Sequence, residues 1–503
     1  MSGLPTGWEF SKLDDVATWG SGGTPSRTKP EYFGGDIPWV TISDLTDSLV
    51  VDSNESISKT GLENSAAKLA PTGSILIALY GSIGKLGIAA KPLTTNQAIA
   101  YAAPDDRSYD SKYLFHYLMR CRQDLVLLGT GVTQKNIYIK DLKSFQIPLA
   151  PRLEQTRIVA RLEELLSDLD AGVTELKAAQ KKLGQYRQSL LKAAVDGSLS
   201  AEWRKNNPAS ETGAQLLERI LKERRARWEA KQLAKFKEQG KTPPKDWQKK
   251  YPEPVQADMT DLPALPEGWS WATIDQLTIE QKYGSSAKTN EDDSGVPVLR
   301  MGNIQDGRID FANLKYLPQD HAEFPTLYLE DGDLLFNRTN SPELVGKTAV
   351  FRSETTPCSY ASYLIAVRFS KCFTPELAST YINSAYGRNW VKSVVVQQVG
   401  QANVNGTKLA ALAVPLPPTE EQAEIFSTLT AQLTTEFEQE ANITRSLKQA
   451  AAQRQNILRA AFAGQLVPQD PNDEPASVLL ERIRAERPAQ AKLKTRGRKK
   501  VAA

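Results

Sequence analysis

The sequence predicts an α/β fold of the α+β type: two mixed α/β modules separated by long helices that form an antiparallel coiled coil within the chain. Three observations predict it. The chain contains a tandem duplication at an offset of 267 residues, short apolar runs end at Gly, Pro or Asp in both copies, and a seven-residue leucine repeat follows the first copy. The two copies therefore form a pseudo-two-fold tandem repeat.

The duplication is clearest at the borders of the copies. PLAPRLEQTRI from Pro148 and PLPPTEEQAEI from Pro415 agree at six of eleven positions, and YRQSLLKAAVDGSL (186–199) and QRQNILRAAFAGQL (453–466) agree at seven of fourteen. Upstream, LPTGW (4–8) matches LPEGW (265–269). The interiors are far less alike, which suits two modules that do one job on two different targets.

Each interior shows the short apolar runs of a mixed α/β module. The predicted strands are 37–42, 75–79 and 98–103 in the first copy, and 296–301, 334–336 and 364–369 in the second. One helix follows in each copy, at 111–128 and at 375–392.

The long helices carry single apolar stripes. In the first, leucines recur every seven residues, and in the second the spacing is weaker; the stripe residues are Leu162, Leu169, Leu176, Leu183 and Leu190, then Leu429, Leu433, Ile443, Leu447 and Ile457. A helix from 154 to 196 would be about 65 Å long. Each stripe needs a cover, and either the other helix, antiparallel, or the helix's own module could provide it.

Composition limits the class of protein. A chain of 503 residues is too long for one core, so several domains are expected. No apolar run is long enough to span a membrane, and no secretory signal is evident, so we expect no membrane partner. Three separated cysteines suggest reduced thiols and a cytoplasmic location, and two histidines offer no metal site.

Positive charge is concentrated in two segments. Residues 219–250 hold twelve Lys and Arg against four Asp and Glu, and residues 484–503 hold eight against one, although the net charge is only +3. The stretch 225–262 has no counterpart in the second copy. It is either a solvated basic face or a nucleic-acid contact, and its aromatic residues could stack on a partner or lie over a backbone.

No standard active site is recognisable. A phosphate-binding loop is missing because Ser341 stands where the first glycine before Gly346-Lys347-Thr348 belongs, and the stretch 129–134 lacks the third glycine of a dinucleotide fingerprint. We expect no catalytic residue and no bound metal in this chain. A binding or scaffold role is favoured.

Together, the two L-P-x-G-W openings, the two P-L-x-P-x-x-E-Q phrases before long helices and the A-A-x-x-G-x-L endings resemble the specificity subunits of type I restriction–modification systems. The resemblance covers nearly the whole chain. It implies that each module is a target-recognition domain for one half of a bipartite DNA sequence, and that the helices set the spacing of the two halves. The basic stretch 225–262 departs from the plainest family pattern.

The resemblance also implies partners. Two methyltransferase subunits would dock on the helices bearing the stripe residues, bring S-adenosylmethionine and methylate adenine, and motor-nuclease subunits would complete the restriction enzyme. This chain would bind no cofactor and would be non-catalytic by itself. The domains would be 1–151 (first target-recognition domain), 152–224 (central helical region), 225–262 (basic linker or insert), 263–418 (second target-recognition domain), 419–466 (distal helix) and 467–503 (C-terminal segment with a basic tail).

Residues that read DNA should be polar, lie on loops and differ between the copies, because base edges are read through hydrogen bonds. In the first module the candidates are Thr41, Ser43, Tyr80, Ser82, Lys85, Asn96, Gln97, Thr133, Gln134, Lys135 and Asn136. In the second they are Arg300, Asn303, Arg338, Asn340, Ser341, Lys347, Ser359, Tyr360, Gln401, Asn403 and Asn405. Arg300 and Arg338 suit bidentate contact with guanine. Any of these residues could instead form a turn, a cap or a salt bridge.

Two other functions stay open from the sequence. The chain could be a coiled-coil scaffold that never touches DNA, or a DNA-modifying enzyme whose motifs are not recognised.

Overall fold

The computed structural model describes residues 3–105, 109–130, 135–260, 262–342, 344–398 and 401–485. The chain divides into two compact units, one made of Met1–Lys177 with Thr444–Ala503 and the other of Ala178–Ile443. Each unit contains one α/β module and parts of both long helices. Among the described residues, no helix has the length and apolar character that a membrane crossing requires.

The first module is built from short strands. They are β1 (Glu9–Lys12), β2 (Thr18–Ser21), β3 (Phe33–Val40), β4 (Ser48–Val50), β5 (Ser56–Ile57), β6 (Leu69–Ala70), β7 (Ile75–Ala78), β8 (Leu86–Ala89), β9 (Leu93–Thr95), β10 (Ile99–Ala103) and β11 (Gln146–Leu149). Its helices are α1 (Leu13–Val16), α2 (Lys59–Glu63), α3 (Ser111–Arg120), α4 (Arg122–Leu128) and α5 (Ile139–Ser144). One sheet has the order β2-β10-β7-β8-β4, a second has the order β5-β3-β9-β6, and β1 pairs with β11.

The middle of the chain is helical. It holds α6 (Arg152–Val195), α7 (Ala201–Asn206) and α8 (Gly213–Glu238). Helix α8 continues across the boundary at 224/225 that the sequence suggested between a helical region and a basic insert.

The second module repeats this plan. Its strands are β12 (Ser270–Thr273), β13 (Thr278–Tyr283), β14 (Val296–Leu299), β15 (Ile304–Gln305), β16 (Arg308–Ile309), β17 (Lys315–Leu317), β18 (Leu334–Asn337), β19 (Thr339–Asn340), β20 (Thr348–Val350), β21 (Ser359–Tyr360), β22 (Leu364–Phe369), β23 (Val396–Gln398), β24 (Gln401–Asn403) and β25 (Ala413–Leu416). Its helices are α9 (Ile274–Leu277), α10 (Pro375–Asn383), α11 (Ala385–Val394) and α12 (Gly406–Ala410). The main sheets have the orders β13-β22-β18-β20, β17-β14-β21 and β19-β24-β23, and β12 pairs with β25.

The predicted strands are present, but each predicted module helix is two helices. The helix expected at 111–128 breaks at Cys121, and the helix expected at 375–392 breaks at Ser384, whose ψ of 170° is extended and whose hydroxyl donates to the carbonyl of Tyr381 at 2.7 Å. The strand expected at 37–42 ends at Val40.

The second long helix is α13 (Thr419–Phe462), and like α6 it has 44 residues. In the first unit, Ile158 and Leu162 near the start of α6 share a core with Leu458 and Ala461 near the end of α13. In the second unit, residues near the end of α6, such as Leu190, share a core with the start of α13. The helices are therefore antiparallel, and the predicted coiled coil is confirmed.

Arginines at equivalent positions fix the register of the helix pair. In the second unit, Arg187 of α6 donates from Nε and Nη2 to Glu436 of α13 at 3.0 and 2.8 Å, and from Nη2 to Glu440 at 2.5 Å. Glu436 is buried. In the first unit, Arg454, which stands 267 residues after Arg187, pairs with Asp170.

Three repeated phrases meet at a junction in the first unit. The Trp8 indole donates from Nε1 to Glu154 Oε2 at 3.1 Å, which ties the L-P-x-G-W opening to the first turn of α6. A Cβ at Gly464 would collide with Pro5, so the A-A-x-x-G-x-L ending of α13 packs closely on the same opening. Gly464 has a φ of +67°, which ends the helix.

The second unit contains the same junction. Trp269 Nε1 donates to Glu421 Oε2 at 2.8 Å, and a Cβ at Gly197 would collide with Pro266. Gly197, with a φ of +77°, follows the end of α6 as Gly464 follows that of α13. Each module therefore packs against the start of one long helix and the end of the other.

The glutamine of each P-L-x-P-x-x-E-Q phrase holds backbone on both sides of the junction. Gln155 Oε1 accepts from the Asp110 N–H, and its Nε2 donates to the Ala150 carbonyl, both at 2.9 Å. Gln422 likewise accepts from the Thr374 N–H at 2.8 Å and donates to the Pro417 carbonyl at 2.9 Å. The repeated phrase is thus a structural joint, because both its polar residues are buried and hydrogen-bonded inside each unit.

The two junction carboxylates have different surroundings. Glu421 also accepts from Ser200 Oγ at 2.6 Å and from Arg204 Nε at 3.2 Å. Among the described residues, no arginine donates to Glu154 as Arg204 does to Glu421. Glu154 accepts instead a hydrogen bond from Gln469 Nε2 at 3.4 Å. Burial raises the pKa of the Glu154 carboxyl above its ordinary value of 4.5.

This raised pKa predicts a pH dependence of stability. A folded state with a raised carboxyl pKa takes up a proton at higher pH than the unfolded chain does. The first unit should therefore gain stability as pH falls through the raised pKa towards 4.5, and lose it as pH rises again. Glu154→Gln should remove this component. The difference in free energy of unfolding between wild type and variant, measured by urea denaturation from pH 7 downwards, should change with pH.

An exposed side chain that does not titrate, Ser43, provides a control. Ser43→Ala should leave the pH dependence of unfolding as it is in the wild type. A constant difference between wild type and Glu154→Gln over the whole range would contradict a raised pKa at Glu154.

Candidate nucleic-acid interface

The candidate residues of the first module come together because several strands end at one edge. Val40, the last residue of β3, pairs in parallel with Thr95, the last of β9. The Leu79 N–H donates to the Ala98 carbonyl at 2.7 Å, and the Ile137 N–H donates to the Leu79 carbonyl at 2.8 Å. The segments 41–44, 80–85, 96–97 and 135–136 therefore lie side by side, and we call them the first polar edge.

Side chains connect these segments. Lys85 Nζ donates to the Ile42 carbonyl at 3.1 Å, and the Tyr80 hydroxyl is hydrogen-bonded to Gln97. Burial nevertheless raises the pKa of Tyr80. Ser43, Ser82, Gln97 and Lys135 are exposed on this edge and can be reached by a partner.

Some candidates of the first module have local roles. Thr41 Oγ1 donates to Asp44 Oδ2 at 2.9 Å and so caps a 3-10 turn (Ile42–Asp44). Asn96 Oδ1 accepts from the Ala98 N–H at 3.1 Å. Asn136 forms isolated β-bridges with Tyr80 and Thr130. Thr133 and Gln134 lie outside the described residues.

The second module repeats the backbone pattern of this edge, hydrogen bond by hydrogen bond. Leu299, the last residue of β14, pairs in parallel with Tyr360. The Arg338 N–H donates to the Tyr363 carbonyl at 3.0 Å, and the Val404 N–H donates to the Arg338 carbonyl at 2.9 Å. Arg338 thus stands where Leu79 stands in the first module. We call segments 300–303, 338–342, 344–347, 361–362 and 402–405 the second polar edge.

This pairing corrects two predicted readers. Ser359 and Tyr360 occupy the strand positions of Thr94 and Thr95, and they are buried, with exposures of 0% and 2%. Ser359 Oγ donates to the Leu327 carbonyl at 2.9 Å. The equivalents of Asn96 and Gln97 are Ala361 and Ser362, because the Ala361 N–H bonds to Leu299 as the Asn96 N–H bonds to Val40.

Asn303 is also part of the framework and not an accessible reader. It is 3% exposed, its Oδ1 accepts from the Arg300 N–H at 2.9 Å, and its Nδ2 donates to the carbonyls of Asp310 and Ala312 at 2.7 and 3.0 Å. Asp44 makes the equivalent bond to the Thr41 N–H in the first module. The sequence gives no sign of this, because an asparagine after a strand suits a cap and a reader equally.

Three further residues of the second module make local contacts. Asn405 Oδ1 accepts from the Lys408 N–H at 2.9 Å and so caps α12, although Asn405 is exposed. Asn340 Oδ1 accepts from the Ser341 N–H at 2.8 Å. Asn403 Nδ2 donates to Thr339 Oγ1 at 2.9 Å. The side chain of Gln401 lies outside the description, although its backbone belongs to β24.

The cationic candidates have positioned side chains. The Arg338 guanidinium lies 5.0 Å from the centroid of the Tyr283 ring and donates from Nη1 to the Ser362 carbonyl at 3.1 Å. Arg300 Nη2 donates to the Asn313 carbonyl at 2.6 Å. Lys347 Nζ contacts Gln305 Oε1 at 3.3 Å. Arg338 is therefore held at the centre of the second polar edge.

A loop that the sequence did not suggest borders the first polar edge. The Gly22 and Gly23 N–H groups donate to the carbonyls of Ile99 and Thr95, and Thr24 Oγ1 donates to Gln97. In the same loop, Arg27 lies 4.6 Å from the Phe33 ring centroid and pairs with Glu55 at 2.6 Å. The run GSGGTPSRTK, small and polar with two cations, was the signal available for it.

Within the described residues, no group of three or more His, Cys, Asp or Glu side chains is placed to hold a metal ion.

The sequence pattern of the type I restriction modification DNA specificity domain matches residues 5–181 and again residues 266–449. The chain belongs to this family. Each match begins at an L-P-x-G-W opening and extends into a long helix. The specificity domain thus occurs twice in this specificity chain, with one polar edge in each copy.

Known specificity subunits match over the whole chain. It is 25% identical over 511 residues to the type I restriction enzyme EcoKI specificity subunit of Escherichia coli K12, with 97% of each chain covered. It is 22% identical over 521 residues to the StySPI specificity subunit of Salmonella potsdam, with 99% of each covered. A solved structure from a study of assembly and conformational transition of the type I R-M system shares the fold, with a TM-score of 0.64 at 16% identity, covering 92% of this chain and all of that one.

The buried cap predicts a stability defect. Asn303→Ala should lower the free energy of unfolding of the second unit by about 1–3 kcal/mol, because two carbonyls and one N–H lose their partner in a buried place. Chemical denaturation would measure it, with Ser43→Ala at an exposed position as a control that stays within about 0.5 kcal/mol. If Asn303→Ala has normal stability but binds DNA more weakly, Asn303 contacts DNA and is not a framework residue.

Proposed function

We propose that this chain is the DNA-reading subunit of a type I restriction–modification enzyme, and that each module reads one half of a bipartite target. The observation that carries the proposal is the pair of polar edges, which share backbone pairing but differ in side chains. Thr41 corresponds to Arg300, and Gln97 to Ser362. A shared frame with different hydrogen-bonding groups suits two readers of different base sequences.

The two edges also differ in their arginine residues. Arg300 and Arg338 replace Thr41 and Leu79, so the second edge presents two guanidinium groups where the first presents none. A guanidinium can donate two hydrogen bonds to the major-groove face of guanine, which contributes roughly 1–3 kcal/mol of discrimination. We infer that the second half-site contains guanine.

The antiparallel helices suit a spacer between the two readers. Because α6 and α13 have the same length and equivalent junctions, they offer two equivalent surfaces. Two methyltransferase subunits, carrying S-adenosylmethionine for adenine methylation, would dock there, and motor-nuclease subunits would join the complex. This chain would contribute recognition and no catalytic group. The whole-length similarity to specificity subunits of type I restriction enzymes supports this assignment.

The modular proposal is tested by exchange. Replacing residues 1–150 with the corresponding module of a relative should change one half of the methylated sequence and leave the other half and the spacing unchanged. Sequencing of methylated bases in cells that carry the complete system reads the target directly, and the unmodified chain is the control. A change in both halves would refute independent readers.

Two further experiments distinguish the proposed function from its alternatives: DNA footprinting of the chain with its methyltransferase partner, and activity assays of the purified chain alone. A scaffold that does not touch DNA would give no discrete bipartite footprint with its methyltransferase partner. Methylation or cleavage of DNA by the purified chain alone would identify it as an enzyme.

Arg338 should determine one base of the second half-site. Arg338→Ala should reduce the affinity for the wild-type target by a factor equivalent to roughly 1–3 kcal/mol, and relax discrimination at a single position. Arg338→Lys keeps the charge but loses the planar fork, so it should restore affinity better than discrimination. Binding to a set of single-base target variants measures both. Equal loss on all sequences would show that Arg338 contacts phosphate instead.

A further inference from the structure

The segment after the root of α8 folds into a basic hairpin. Helix α8 runs to Glu238, the chain turns at Gly240 with a φ of +61°, and the following residues return along the helix. The Trp247 ring stacks on Trp228 with centroids 5.7 Å apart and planes at 19°. We call residues 225–251 the basic hairpin.

The root of α8 is anchored in the second module. Leu216 and Ile220 are buried, and Arg224 Nη2 donates to Asp275 Oδ1 at 3.0 Å. From 225 to 238, by contrast, no residue is buried. The half of α8 after Arg224 is therefore available to a partner.

An aromatic cluster gives the hairpin a defined shape. Phe236 lies 6.2 Å from Trp247, and Tyr251 lies 5.5 Å from Trp228, both edge to face. Arg225 lies 5.5 Å from the Tyr251 ring. Such pairs add to the stabilisation that the buried area of the rings provides. The aromatic rings therefore pack on one another within the hairpin, an arrangement that the sequence did not suggest.

The hairpin carries a large excess of unpaired positive charge. It has nine Lys and Arg against three Asp and Glu. Two of its cations form ion pairs, Arg225 with Glu229 and Lys249 with Asp246. The others have no carboxylate within 4 Å among the described residues: Arg227, Lys231, Lys235, Lys237, Lys241, Lys245 and Lys250.

We propose that the basic hairpin binds the phosphate backbone of double-stranded DNA outside the recognition sequence. Unpaired lysines that neutralise phosphates release counterions, and this supplies sequence-independent affinity. Because the aromatic rings are occupied, stacking on bases of single-stranded nucleic acid is disfavoured. The inference rests on the proposed function as a DNA reader.

The place of the hairpin separates it from the readers. Its root packs beside β12 and α9, and α9 leads into the first residue of β13. The last residue of β13, Tyr283, lies under Arg338 at the second polar edge. Root and edge are thus at opposite ends of one strand, so the hairpin does not share base pairs with the readers of its own module.

A basic segment follows the same helix root in both copies. The helix root LLERILKER (216–224) recurs as LLERIRAER (479–487), and a basic tail without any aromatic residue follows the second copy. Two equivalent protein subunits would require two similar surfaces, as the long helices provide. The phosphate backbone is recognised by charge, so two basic segments of different sequence can both bind it.

The test removes charge from the hairpin. The triple variant Lys235→Gln, Lys237→Gln and Lys241→Gln changes exposed side chains, and glutamine keeps the helix propensity of lysine. The matched control is Lys12→Gln, Lys91→Gln and Lys371→Gln, which removes the same charge from exposed positions elsewhere. Circular dichroism checks that helix content is equal.

Each protein, assembled with its methyltransferase partner, is titrated with two duplexes. One ends at the target established by methylation sequencing, and the other extends beyond it on both sides. Wild type and control should bind the long duplex more tightly than the short one, and the hairpin variant should lose this gain. On the long duplex, the slope of log affinity against log salt should become shallower by about 0.9 for each lysine that contacts a phosphate. Discrimination against a scrambled target should stay equal in all three.

Other results would overturn the proposal, and they differ from a failure of the proposed function. If the hairpin variant gains affinity from flanking DNA as the control does, the hairpin does not bind DNA. If it binds both duplexes normally but needs more methyltransferase to assemble, its partner is an acidic protein surface. If no protein distinguishes the target from the scrambled duplex, the reading function itself is wrong.

Discussion

The hydrogen bond between an opening tryptophan and a buried glutamate is the contact on which the other elements depend, because it fixes where a long helix leaves its module. Trp8 and Trp269 each donate to a carboxylate in the first turn of α6 or α13. A buried carboxylate is costly unless its acceptors are used, so the indole, the glutamate and the glycine-ended partner helix must all be in place together. The direction of each helix, and hence the place of each polar edge relative to it, follows from this joint.

Between the joints, ion pairs between α6 and α13 fix the register of the two helices. Glu436 is buried with Arg187 as its partner, and a slip of the helices that left Glu436 without this partner would cost about 3–5 kcal/mol. Leucine stripes alone would tolerate such a slip, since the residues facing each other would still be apolar. Arg454 and Asp170 add a second, exposed pair in the first unit. In each unit, the register of the two helix segments is therefore set by polar contacts as well as by apolar packing.

The duplication, the strands and the antiparallel helices could be predicted because they follow from periodicity and repetition. The polar edges could be predicted only in part. Arg338 follows a strand and stays a predicted reader, but Ser359, Tyr360 and Asn303 are buried, because the loops between paired strands differ in length and only backbone pairing reveals which residues correspond. The loop around Arg27 was missed because small polar residues there resemble an ordinary turn. The contacts of the aromatic residues in the basic hairpin could not be predicted from the sequence, because these rings pack on one another.

Each joint also contains the same backbone hydrogen bond. In the first unit, the Ala476 N–H donates to the Gly7 carbonyl at 2.8 Å, and in the second unit the Gly213 N–H donates to the Gly268 carbonyl at 2.7 Å. The first bond joins residues that are far apart in the chain, whereas the second joins residues separated only by α8 and the segment that follows it. The joint therefore depends on how its phrases pack together and not on the order in which the chain supplies them.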